Sequence, residues 1–294
     1  MNINTPIIDS SRLLENHTDK PSFSYNDGLV LFLDIMGFKD RIMRTPHEQL
    51  DLQLREFKKR HNKLKPLMDN GSIELLHFSD SIIVVAHKAD IFTLNRLVKI
   101  ATILLQIGLE SQFAMKGAIA RGKITFDSID QLYFGQALVD AYLMEEELKF
   151  YGVAFHHSAE KLVIEALERM YYPDSKKIRI YYPIHECSIP LKTCKCKHYL
   201  IAWHKLNTAL SQDDITEDSK NWLANMNLTV SGAPRVYVDN TIAIIDEINK
   251  TPKIESIEKH RVKKAELKRK KQKEKQEKKT KKDKNKGTRK NTNK

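Results

Sequence analysis

The feature that most restricts how this chain can fold is the change of hydrophobic period between residues 28 and 155. Short apolar runs suited to buried strands alternate there with stretches whose apolar residues recur at helical spacing. Residues 28–33 form such a run, closed by Asp34. Residues 39–67 are charged, with Leu50, Leu54, Phe57 and Leu64 spaced as on one face of a helix. Residues 72–78 and 81–86 read as two strands of a hairpin joined across Ser79-Asp80, and residues 91–109 as an apolar helix. A strand over 113–124, interrupted by Gly117 and Gly122, precedes a helix over 135–150, a strand over 152–155 and a helix over 159–170. The order β-α-β-β-α-β, then α-β, is the split arrangement of ferredoxin-like α+β folds. Because that layout hosts many chemistries, function has to be read from particular side chains.

Residues 172–206 are richer in β formers, at 178–182 and 199–203, and helices are expected near 217–226 and 234–248, a C-terminal α/β extension of the domain. Residues 1–27 read as a loose N-terminal arm, and Asp69-Asn70-Gly71 as a turn. The net charge of +12 suggests a nucleic-acid binder until its placement is considered. Residues 253–294 carry 20 Lys+Arg and 6 Asp+Glu, leaving 30 Lys+Arg against 32 Asp+Glu in the remainder. The body, residues 28–252, is thus nearly neutral, and the charge belongs to a low-complexity basic tail that cannot bury a core. Such a tail is either simply solvated, disordered or as a lone helix, or a loose electrostatic attachment to nucleic acid or anionic membrane. A specific nucleic-acid partner is not expected, since the body lacks an aromatic-basic stripe. The polar N-terminus has no apolar signal region, and the apolar run at 91–109 is broken by Asn95, Arg96 and Lys99, so neither a leader nor a membrane span is expected. Three cysteines give no disulfide framework, which points to a reducing cytoplasmic location.

Two short elements carry the candidate chemistry. Leu33-Asp34-Ile35-Met36-Gly37-Phe38 places a carboxylate at the end of a buried strand and a glycine at the following turn, where backbone N–H groups can approach an anion. Phe78-Ser79-Asp80-Ser81 places a second carboxylate at a hairpin tip. Either aspartate alone reads as a turn or cap residue. Two acidic groups at neighbouring strand ends are what a pair of hard, oxygen-seeking Mg²⁺ or Mn²⁺ ions requires when the ions also bridge substrate phosphates.

These segments resemble known ones. Asp34–Phe38 is similar to the D-I-x-G-F motif that opens class III adenylate/guanylate cyclase catalytic domains, and Asp80 falls where that family carries its second metal aspartate. Met115-Lys116-Gly117-Ala118-Ile119-Ala120-Arg121-Gly122 resembles the family's glycine-containing central strand. The run from Tyr133 through Gly135 to Glu145 resembles its next strand-to-helix junction. The resemblance covers residues 28–155. It implies a ferredoxin-like class III cyclase domain in which Asp34, Asp80 and the Ile35 carbonyl hold two divalent ions, while the main chain around Gly37 and Phe38 cradles phosphate. It also implies a homodimer with catalytic sites shared between protomers.

The departures are as informative. Aligned on Gly135, the family's ribose-orienting Asn falls on Val139 and its transition-state Arg on Leu143, while its purine-reading Lys and Asp fall on Leu76 and Leu132. All four positions are apolar, and a leucine cannot replace a hydrogen bond to a base edge. This divergent pattern looks like the pyrimidine cyclases of Pycsar anti-phage systems. That resemblance implies UTP or CTP as substrate, cyclic UMP or cyclic CMP as product, and a downstream effector that responds to it. Lys116 or Arg121 is then the candidate substitute for the missing cation, and Tyr133, with Phe134, a candidate to stack on a base or else to pack in the core.

Other groupings have plainer readings. Cys187, Cys194 and Cys196 with His185 and His198 lack the paired spacing of a structural zinc site and read as reduced thiols. His77, His156 and His157 read as structural histidines. Three alternatives to a pyrimidine cyclase stay open on sequence. They are a purine cyclase of unusual site, a nucleotide-sensing module without catalysis, and a nucleic-acid protein sharing two-carboxylate chemistry. Two retained aspartates oppose the sensor, because neighbouring carboxylates without a cation repel.

Overall fold

The computed structural model describes residues 27–68, 72–127, 130–171, 183–205, 216–228 and 230–250. The arm, the turn at 69–71, the β formers at 178–182 and the basic tail lie outside the described residues.

Nine strands and eight α-helices are described. The central strand β1 (Asp27–Ile35) is followed by α1 (Phe38–Arg44), α2 (His47–Arg60), a 3₁₀ turn at His61–Leu64 and α3 (Lys65–Met68). The hairpin β2 (Ile73–Phe78) and β3 (Ser81–Ala86) leads to α4 (Ile91–Glu110) and β4 (Met115–Lys123). A small ribbon, β5 (Thr125–Asp127) with β6 (Leu132–Phe134), precedes α5 (Gln136–Glu147), β7 (Gly152–Phe155) and α6 (His157–Tyr171). The extension adds β8 (Ile184–Pro190), β9 (Lys195–Ile201), α7 (Thr216–Asn227) and α8 (Ala233–Lys250).

Seven strands form one sheet in the order β2-β3-β1-β4-β7-β9-β8, with β5 and β6 paired separately. The first four are mutually antiparallel, β7 joins β4 in parallel through the α5 crossover, and β9 and β8 continue antiparallel. The order β2-β3-β1-β4 is the split βαββαβ core expected from the sequence, so the fold is α+β.

Alternation along β1 fixes which helices cover which face. Leu29, Leu31, Leu33 and Ile35 enter the main core with α4, α6 and Phe57 of α2. Val30 and Phe32 point the other way, against Ala137 and Ala141 of α5. The small side chains at 137 and 141 let α5 lie close across β1 and β4. Helix α4 is 20 residues long and apolar enough in length and composition to cross a membrane, but most of it is buried in this core. Its start is capped by Asp90, whose carboxylate accepts from the Thr93 N–H at 2.8 Å. Two of its buried polar side chains are also satisfied: Thr102 donates to the Val98 carbonyl and Gln106 to the Trp203 carbonyl, each at 2.8 Å.

Two elements differ from the sequence expectation. The continuous helix expected over 39–67 is broken, because Pro46 has no N–H to donate and drives Thr45 into extended backbone (φ −107°, ψ 135°). The β5–β6 ribbon, absent from the sequence reading, brings the chain back to Gly135, whose φ of +149° is closed to L side chains. A Cβ there would stand 2.4 Å from the Lys123 carbonyl oxygen.

Gly37 is also left-handed (φ +71°), yet nothing lies within 4 Å of its would-be Cβ. The two glycines should therefore respond differently. Gly37→Ala is expected to cost about 1 kcal/mol of folding stability from backbone strain alone. Gly135→Ala, which adds a main-chain clash to the strain, is expected to cost roughly 3 kcal/mol or more. Equilibrium urea unfolding of both variants checks this; equal losses would refute the clash at Gly135.

Candidate active site

The exit of β1 is tied to both neighbouring strands before the chain turns. The Ile35 N–H donates to the Asp80 carbonyl at 2.9 Å, and the Met36 N–H to the Ala114 carbonyl at 2.9 Å. Asp80 sits in the two-residue β2–β3 turn beside Ser79, which takes a left-handed φ of +55°. Asp34 pairs in register with Ser81 of β3, the residue after Asp80. The two carboxylates singled out in the sequence therefore lie close together at one end of the sheet, Asp34 at the end of β1 and Asp80 in the neighbouring turn. Gly37 is exposed, and Phe38 buries its ring at the start of α1.

By alternation Asp34 lies on the α5 face of the sheet, beyond Phe32. Its carboxyl is pushed up to about 6, first by burial, then by the charges of Glu145 and Asp80, against a downward pull from Lys116. Lys116 is the residue directly across from Asp34 on β4. Its Nζ donates to Glu145 Oε1 at 2.9 Å and to the Glu145 carbonyl at 2.9 Å, and both side chains are nearly sealed from solvent (6% and 3% exposed). Burial raises the Glu145 carboxyl as well, while Lys116 opposes that rise through its hydrogen bond and charge.

The remaining candidates are not at this end of the sheet. Arg121 is five residues along β4 from Lys116, roughly 16 Å at the strand rise, and alternation turns it to the other face. It is held there by Asp27, with Nη2 at 2.7 Å and Nε at 2.8 Å from Oδ2. Tyr133 lies on the ribbon past the far end of β4 and packs on Phe126, ring centroids 4.5 Å apart. The structure thus brings Asp34, Ile35, Gly37, Phe38, Asp80 and Lys116 together and places Arg121 and Tyr133 elsewhere in the protomer.

The histidines follow their plainer reading. His77 faces the main core, edge-on to Phe57 at 6.2 Å, on the opposite face from Asp34. His156 stacks near His157 and shares a hydrogen bond with Ser158 at 3.0 Å. Cys187 is buried, its thiol pushed up to about 12 by desolvation, whereas Cys194 is exposed. Among the described residues no group of three or more His, Cys, Asp or Glu side chains is disposed around a metal-sized space. Two adjacent carboxylates suit a different kind of ion, one that completes its shell with phosphate, carbonyl and water oxygens. The donors at Asp34 and Asp80 are all oxygen, and the Asp34 carboxyl is raised first by burial and then by the acids beside it. Both fit a hard divalent cation.

Glu145 is the residue the sequence reading passed over. Its signal was spacing: Ala137 and Ala141 form the buried stripe of α5, and the next position at i+4 is Glu145. A carboxylate on a buried stripe demands a partner.

No family model matches the chain, and no curated protein does. Solved structures similar to it include the guanylate cyclase domain of RhGC from Catenaria anguillulae in complex with GTP, at 12% identity over 60% of this chain and 97% of that one, TM-score 0.41. A Trypanosoma brucei adenylate cyclase in its monomeric state is similar at 13% identity over 62% and 92%, TM-score 0.41. The adenylyl cyclase CyaB from P. aeruginosa is similar at 12% over 60% and 93%, TM-score 0.38. The α+β architecture itself is established by this chain's own strand order and register.

The raised Asp34 carboxyl has a stability consequence. Because the folded state holds this proton more tightly than the unfolded chain does, stability attributable to the group falls as pH rises from about 4 to about 6. In metal-free buffer, Asp34→Asn should therefore stabilise the protein by roughly 1–3 kcal/mol at pH 7.5 and by little at pH 4. Thermal unfolding with a chelator at the two pH values is the check, and a variant no more stable than wild type at pH 7.5 would contradict it.

Proposed function

We propose that this chain is a nucleotide cyclase that converts UTP or CTP into the 3′,5′-cyclic monophosphate and pyrophosphate. The observation that carries the proposal is the adjacency of Asp34, at the end of β1, and Asp80, in the β2–β3 turn, which the Ile35 N–H ties to that strand end. Asp34, Asp80 and the Ile35 carbonyl would hold two Mg²⁺ or Mn²⁺ ions. Such ions, when bound, make the 3′-OH more acidic and neutralise the triphosphate. Asp34 has to be ionised to take part, and because its carboxyl is raised in the metal-free protein, metal binding should weaken as pH falls toward 6 and below. The exposed turn at Gly37 leaves its main chain accessible to phosphate oxygens.

The pyrimidine preference comes from the resemblance and is permitted by what replaces the purine readers. Leu132, Val139 and Leu143 are about half exposed and apolar, and offer a base edge no hydrogen bond. Phe134 on β6 and Tyr142 on α5 are exposed apolar side chains as well. Burial against a second copy would remove these side chains from water, which supports a homodimer whose partner completes the site. A cyclic pyrimidine nucleotide as product fits a role as an antiviral second messenger read by a separate effector, in a reducing cytoplasm.

Purified protein incubated separately with UTP, CTP, ATP and GTP plus Mn²⁺ or Mg²⁺, followed by mass spectrometry, tests the assignment. Cyclic UMP or cyclic CMP is expected, with loss of at least about a thousandfold in Asp34→Ala and Asp80→Ala. A purine product alone would keep the cyclase and overturn the base assignment; nucleotide binding without turnover would favour a sensor. Leu143→Glu is expected to shift the protein to monomer in sedimentation velocity and to abolish turnover, while leaving the monomer folded.

A further inference from the structure

Lys116 is placed to do something it does not do. It stands directly opposite Asp34 across β1 and β4, where side chains on the same face lie about 5 Å apart at Cβ, and a lysine easily spans that gap. A half-buried carboxylate in negative surroundings is the natural partner for such an ammonium. Lys116 instead turns to the last turn of α5, where Glu145 takes it by both a side-chain and a main-chain oxygen, each at 2.9 Å. Both groups are nearly sealed from solvent, so the pairing is held against competition from water.

We propose that Glu145 is a positioning residue that keeps the Lys116 ammonium off Asp34, so that Asp34 stays available to a divalent cation. The inference rests on the metal-binding reading of Asp34 and Asp80. Glu145 and Lys116 together present no net charge to the site, and Lys116 alone would present a competing cation. Removing the Glu145 charge leaves the buried ammonium only neutral oxygens on α5, with Asp34 directly across the strands as an anionic alternative. Removing both charges takes the competitor away again. A Glu145 that merely glued α5 to the sheet would give a different pattern, in which losing the second partner brings no recovery.

The experiment is Mn²⁺ binding to the full chain, followed by the electron paramagnetic resonance signal of free Mn²⁺, with melting of the metal-free protein alongside. Wild type and Asp34→Ala come first: if wild type shows no binding that depends on Asp34, the metal reading falls and this inference with it. Given such binding, Glu145→Gln should weaken it at least tenfold, and the double variant Lys116→Met/Glu145→Gln should restore it to within about threefold of wild type. Unchanged affinity in Glu145→Gln, or a double variant as weak as the single, would overturn the proposal while leaving the metal site standing. If Glu145→Gln does not fold, Lys116→Met alone carries the test. Leaving Glu145 unpaired beside Asp34, it should bind Mn²⁺ more tightly than wild type; weaker binding overturns the proposal.

Discussion

A half-buried carboxylate at the end of the central strand is the constraint around which the rest of this molecule is arranged. Asp34 is raised by burial and by two neighbouring acids, and Lys116, directly across from it, is engaged by Glu145. Such an arrangement is unfavourable for an empty protein, and it persists because the strands on either side leave Asp34 little room to move. The turns at Ile35 and Met36 are laced to β2–β3 and to β4, so Asp34 cannot swing away without breaking main-chain hydrogen bonds. Local cost held in place by surrounding structure is characteristic of sites prepared for a ligand.

Much of this was legible in the sequence. The β1 run ending at Asp34, the hairpin carrying Asp80 and the apolar helix over 91–109 were readable because each has one dominant period and clear punctuation. The break at Pro46 was written in the sequence too, but helical spacing from Leu50 to Leu64 masked it. The three-residue strands β5 and β6 are too short to show a period. Arg121 and Tyr133 lie away from the carboxylate end for a geometric reason: motif order along the chain does not say which end of a strand, or which face, a side chain occupies. Lys116 lies beside Asp34, and its partner Glu145 was not legible, because an ion pair 29 residues apart is a property of the assembled sheet and helix.

The two faces of the sheet divide the labour. The α4–α6 face holds the large aliphatic core and sets stability. The α5 face is built from smaller residues and carries Asp34, Lys116 and Glu145. Substitutions in the first group should alter abundance more than chemistry, and those in the second the reverse.

The wedging of Gly135 against Lys123 has a consequence for how this region can change over time. It pins the start of α5 to one end of β4, and Glu145 meets Lys116 at the other, so the helix spans a fixed distance like a spacer cut to length. Ten residues lie from one anchor to the other, and each adds 1.5 Å of rise and 100° of turn. Point substitutions on the outer side of this spacer are tolerable, but the gain or loss of one residue would rotate the carboxylate a quarter-turn or more away from its lysine. Length between these two anchors, more than identity at any position between them, is what descent should preserve.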